Sequence, residues 1–159
     1  MNWEYIHLVT HPFAIVLPIV GAVVGLAGWA LRREELERYG VLSILLGGTA
    51  AIPSYFTGIA AADDVSQRIF VTPSVVQNHR TWATWAAVLL VTAAIFAAYS
   101  LLQPRERRLR RFVLLTGAAA ALLTGFAALQ GGKIEHSDSG NDAPTAPADS
   151  IQLSQDDNQ

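Results

Sequence analysis

The chain has 159 residues, 52% of them hydrophobic, with 11 Lys and Arg against 13 Asp and Glu, a net charge of −2 and no cysteine. Without cysteine there are no disulfides, thiolate metal sites, iron–sulfur clusters or cysteine nucleophiles. A near-neutral charge with its basic residues at the ends of apolar blocks argues against nucleic-acid binding.

The charges avoid four blocks entirely: 12–31, 40–62, 81–104 and 112–132. Each is about as long as the ~20 residues that cross a hydrocarbon core. The pattern predicts an all-α integral membrane four-helix bundle over 1–136 and a disordered polar tail over 137–159. The first span is expected at 12–31. Pro12 suits a first helical position, where its missing N–H costs nothing, and Arg32-Arg33 closes the span. Pro18 should kink it, and Gly21, Gly25 and Gly28 form a small-residue stripe for close helix contact. Glu4 ahead of the apolar run, with positive charge behind it, argues against a cleaved signal peptide.

The second span, 40–62, holds Gly47-Gly48, Pro53 and Tyr55 and ends at Asp63-Asp64. It is the least uniformly apolar, so it should face partner helices more than lipid. The third is expected at 73–103, with Thr72 as N-cap and Pro73 at the first helical position. It projects about two turns past the membrane and carries His79. Trp82 and Trp85 follow at headgroup depth, as an aromatic belt or as walls of a cofactor site with Tyr5, Phe13 and Tyr55. The fourth, 112–131, is rich in Ala and Gly and is expected to be central. Residues 137–159 have five Asp and no Lys or Arg, hence the expectation of disorder.

Loop charge sets the orientation. Arg68, Arg80 and Lys133 lie on the side of the N-terminus. Arg32, Arg33, Arg38, Arg105, Arg107, Arg108, Arg110 and Arg111 lie on the other. The second side is read as cytoplasmic, so both termini are expected in the periplasm of a bacterial inner membrane. The run 104–111 then reads as a topology determinant that meets anionic lipid.

All four histidines, His7, His11, His79 and His136, fall on the outer side, each within about two turns of a span end. Imidazoles there are either interfacial polar residues or ligands to a haem, copper, zinc or non-haem iron. Haem needs two of them from different helices. His11 and His79 are the first pair, then His136, then His7. Arg80 and Lys133, with Arg68, are placed to pair with propionates. A non-haem transition-metal site would use the same four histidines with Asp63 or Asp64. Transport is disfavoured, because the span interiors lack ionisable groups. Ser43, Ser54 and Ser100 have no His and Asp partners at matching depth. No reaction is assigned, and whether the chain is an enzyme is left open.

Several segments resemble a bacterial family of small four-helix membrane proteins of unassigned function. His11-Pro12-Phe13 with Pro18 is similar to its "HP…P" opening. Pro53-Ser54-Tyr55-Phe56-Thr57-Gly58 looks like its "P-x-Y-x-T-G", and His79 like its histidine at the head of helix three. Gly131-Gly132-Lys133-Ile134-Glu135-His136 is similar to its closing "GG-x-I-x-H". The likeness spans about 1–137. Where that family often has Glu after the helix-three histidine, this chain has Arg80. Related modules stand beside c-type cytochrome domains, which implies a haem-linked electron-transfer role with His11, His79 and His136 as its positions.

The expected function is a membrane b-type haem electron-transfer protein or redox-complex subunit, exchanging electrons with quinone or a periplasmic cytochrome. The alternatives are a non-haem metal-binding membrane protein and a cofactor-free structural subunit packed against other membrane subunits or a second copy of itself.

Overall fold

The computed structural model describes residues 3–66, 73–103 and 105–137, with side chains described outside 63–66, 73 and 133–137. The described residues form four helices and no strand: α1 Trp3–Ala30, α2 Glu34–Ser66, α3 Pro73–Leu102 and α4 Arg107–Ser137. All four are long and apolar enough to cross a membrane. The tail beyond residue 137 and Arg68 lie outside the described residues.

Short turns link α1 to α2 and α3 to α4, so the helices run up and down in sequence. Each of α1 and α3 packs on both α2 and α4. α1 and α3 therefore stand across one diagonal, with their N-termini at the same end.

Helices in lipid gain nothing from hydrophobic exclusion of one another, so close van der Waals packing must hold them. Glycine supplies it here. A Cβ on Gly40 would stand 2.5 Å from the Gly21 carbonyl oxygen and 2.5 Å from the Gly25 Cα. Backbone touches backbone at this point. One turn further, a Cβ on Gly28 would meet the Glu37 nitrogen at 2.6 Å. Gly47 receives the ring of Pro18, whose Cδ would lie 2.6 Å from an added Cβ. Ile44, Leu90, Leu114, Val41 and Val113 fill the space between the four helices.

Three features differ from the sequence reading. α1 begins at Trp3, about two turns before Pro12. Pro12 lies inside the helix because an internal proline costs one hydrogen bond and a kink, which neighbouring helices in a membrane absorb. Pro18 and Pro53 are internal in the same way. α2 and α4 likewise start before their apolar blocks, at Glu34 and Arg107. Finally, the Ala-rich α4 is not the central helix. α2 has the larger buried share, 39% of its apolar window against 33% for each of the others. Its glycines accept neighbours on several sides, whereas α4 leaves Leu115, Leu122 and Leu129 exposed.

The α1–α2 turn closes by hydrogen bonds from Leu31 N to Ala27 O (2.9 Å) and Arg33 N to Gly28 O (2.8 Å). Arg32 takes a left-handed conformation, φ 55°, to permit this. Beside it a charge cluster ties the helix ends. Arg110, with 4% of its side chain exposed, donates to Glu34 at 2.9 Å and stands 3.8 Å from Glu37. Arg38 reaches Glu34 at 3.1 Å and Arg107 reaches it at 3.8 Å. Arg111 lies 5.2 Å from the Trp29 ring centroid, a cation–π contact from α4 to α1.

Two outcomes are expected. Gly40→Val drives a side chain into the α1 backbone and should cost about 1–3 kcal/mol, read as a lower thermal midpoint in detergent. Arg110→Met leaves the buried Glu37 carboxylate without its guanidinium and should cost about 3–5 kcal/mol. Arg110→Met/Glu37→Gln should recover part of that loss, because removing both partners of a buried pair is cheaper than removing one.

Candidate imidazole site

At the end of the bundle opposite the charge cluster, α1 contributes His7 and His11 and α3 contributes His79. Because α1 starts at Trp3, both of its histidines are helical and one turn apart. Their ring centroids are 5.0 Å apart and tilted by 38°. His7, His11 and His79 therefore share one end of the bundle, two on α1 and one on the diagonal α3.

Two of the rings are oriented by the main chain. His7 Nδ1 lies 2.9 Å from the Ser54 carbonyl oxygen, and His79 Nδ1 lies 2.9 Å from the Ala127 carbonyl oxygen. A carbonyl only accepts, so Nδ1 carries the proton in both rings. In each neutral imidazole Nε2 then holds the lone pair. Metal-ligating histidines are commonly fixed in this way, with the second ring nitrogen donating to a carbonyl.

The seats of the two rings match. A Cβ on Gly58 would stand 2.9 Å from His7 Cε1 and 3.1 Å from Nδ1. A Cβ on Gly131 would stand 3.0 Å from His79 Cε1 and 3.2 Å from Nδ1. In both cases the accepting carbonyl lies four residues before the glycine. The two histidines are 72 residues apart in sequence, and the two carbonyls and the two glycines are each 73 apart. The α1–α2 and α3–α4 hairpins thus repeat one arrangement: histidine on the first helix, carbonyl and glycine on the second.

Neighbouring side chains hold the seats. Buried Thr57 donates its hydroxyl to the Pro53 carbonyl at 2.8 Å, and its oxygen is 3.5 Å from His7 Nδ1. Thr84 donates to the Arg80 carbonyl at 2.8 Å, so the Tyr55 hydroxyl, 3.2 Å away, donates to Thr84 and joins α2 to α3. Trp82 meets Phe126 edge-on at 4.9 Å, joining α3 to α4. Trp82 and Trp85 also line an apolar groove of about 480 Å³ with Val88, Leu89, Thr92 and Leu123.

The other residues singled out by sequence are placed as follows. Arg80 is exposed, next to His79 in the chain. Tyr5, Phe13 and Trp85 are exposed as well, so they do not wall the space between the histidines, whereas Tyr55 is half-buried. The backbones of Lys133 and His136 belong to the last turns of α4, and that of Asp63 to the last turn of α2. The side chains of Lys133, His136 and Asp63 lie outside the described residues. Among the described residues no three His, Asp or Glu side chains gather closely enough to hold one metal ion. His7, ranked last of the four from sequence, is one of the two oriented rings, while His11 rests against it. Gly58 and Gly131 were visible only as motif letters. The repeated spacing of histidine to glycine was the signal that would have marked them.

Comparison with protein families, with characterised proteins and with solved structures finds no match to this chain.

The geometry predicts a tautomer. In histidine labelled with ¹⁵N, the neutral rings of His7 and His79 should both be the Nδ1–H tautomer. An Nε2–H form at either would contradict the hydrogen bonds to Ser54 and Ala127.

Proposed function

We propose that this chain is a membrane-bound electron-transfer protein that holds a b-type haem between His7 of α1 and His79 of α3. One observation carries the reading. Two imidazoles on diagonal helices each donate Nδ1–H to a carbonyl, which leaves two Nε2 lone pairs as ligands. The donor set fits the group. Both rings are imidazoles, the ligand type that axial haem coordination uses, and both press against glycine on a flanking helix. The two-fold repetition of the seat suits a flat ligand with two equivalent faces.

Bound there, the iron porphyrin would take up and release one electron. The residues do the rest. Ser54 and Ala127 carbonyls hold the ring planes, and Gly58 and Gly131 admit the rings. Arg80 and Lys133 sit at the same end as cations for propionates. His11, against His7, thickens the imidazole layer on α1. The motif resemblance supports the reading by association.

The localisation follows from charge. Eight of the eleven Lys and Arg lie at the end away from the histidines. By the positive-inside rule that end is cytoplasmic, in a bacterial inner membrane, and both termini are periplasmic. The electron partner is then quinone in the outer leaflet or a periplasmic cytochrome. A second reading is favoured by the His7–His11 contact. Two imidazoles at i and i+4 with centroids 5.0 Å apart have the spacing of a helical chelate for a divalent transition metal.

Oxidised and reduced absorbance of protein expressed with ample haem tests the first reading. A Soret band with sharp reduced α and β bands is expected. His7→Ala and His79→Ala should each lose the six-coordinate low-spin spectrum, and His11→Ala should keep it. Gly58→Ala, which displaces the His7 ring without touching its chemistry, should weaken haem retention about tenfold. A protein without chromophore overturns the haem reading, and stoichiometric copper, zinc or iron in that protein would establish the chelate instead.

A further inference from the structure

The second site lies at the opposite end and is independent of the imidazoles. A recess of about 80 Å³ opens between α2, α3 and α4, lined by Arg38, Val41, Ser100, Leu101 and Arg110. That is well above the roughly 15 Å³ that one water requires. We propose that it receives the phosphate of an anionic phospholipid headgroup.

Charge comes first. Arg38, Arg107 and Arg110 converge on Glu34, and only Arg110 also approaches Glu37. Among the described residues the cluster holds three guanidinium groups to two carboxylates, an excess of one positive charge beside the recess. The surroundings add to it. Arg32, Arg33, Arg105, Arg108 and Arg111 lie at the same end and are exposed, against Glu35 and Glu106.

Geometry comes second. Arg110 has 4% of its side chain exposed and is clamped by its carboxylates, so its guanidinium is presented at no further entropic cost. Arg38, with 55% of its side chain exposed, can close over a ligand from the open side. Arginine pairs with phosphate through two parallel, charge-assisted hydrogen bonds. Ser100 is buried and adds a hydroxyl to the lining.

The remaining lining selects the source of the phosphate. Exposed Leu101 gives the recess an apolar wall, which a free phosphate ion cannot use and the glycerol and first methylenes of a lipid can. The recess lies at the helix ends, at headgroup depth, where basic pockets between membrane helices bind anionic lipids.

Native mass spectrometry of the full chain in mild detergent tests this, with phosphatidylglycerol and phosphatidylcholine added at equal mole fraction. The wild type should retain one phosphatidylglycerol per chain with about tenfold preference. Arg38→Gln removes the closing charge and Ser100→Leu fills the recess without altering charge. Each should abolish most of that preference, while Arg108→Gln, an equal charge loss outside the recess, should leave it intact. Millimolar inorganic phosphate should not displace the lipid. Equal retention of the two lipids overturns the proposal. So does an Arg108→Gln effect as large as that of Arg38→Gln, or displacement by phosphate. A thermal midpoint matching the wild type confirms that each variant is folded.

Discussion

The bundle depends on the contact of Gly40 with Gly21 and Gly25. There two helix backbones touch with no side chain between them. In lipid this contact has no hydrophobic drive behind it, so its closeness is its strength. The distance it sets between α1 and α2 propagates along both helices. Toward one end it lets Gly47 receive Pro18 and then brings His7 onto Gly58, within reach of the Ser54 carbonyl. Toward the other it sets Gly28 against the α2 backbone at Leu36 and Glu37, and the helices join through the left-handed Arg32.

The two ends are held by different chemistry. One is a lattice of guanidinium and carboxylate groups, buried at Arg110 and Glu37 and exposed at Arg38 and Arg107. The other uses neutral rings and main-chain carbonyls, with the hydroxyls of Thr57, Tyr55 and Thr84 around them. A buried charge must be paired where it stands. A neutral imidazole spends only one nitrogen on the protein and keeps the second for a ligand. That difference makes the imidazole end the candidate for chemistry and the charged end the candidate for docking lipid.

Legibility in the sequence followed the physical reach of each signal. The four helices were readable because charge is excluded from hydrocarbon over a length set by the bilayer, and that exclusion is local. The start of α3 at Pro73 was readable for a similarly local reason. The start of α1 was not. Proline ends a helix in water far more reliably than in a bundle that absorbs the kink, so Pro12 marked a boundary that lies at Trp3. The gathering of His7, His11 and His79 at one end was legible, and which of those rings the main chain orients was not. Which ring is oriented depends on a carbonyl 47 or 48 residues away, and no local pattern near His7 or His11 carries that information.

The sequence by itself determined the class, the number of spans and the two unlike ends, because hydropathy and charge act residue by residue against the bilayer. It also determined that His7, His11 and His79 share one end, since an up-and-down order allows nothing else. Only the tertiary structure decided that α2 is the most enclosed helix, that Arg110 is buried among carboxylates, and that His7 and His79 hold Nδ1 against main-chain carbonyls while His11 leans on a neighbour. Those outcomes turn on distances between helices. Such distances are set by which glycines meet which backbones, and that register is a property of pairs of helices.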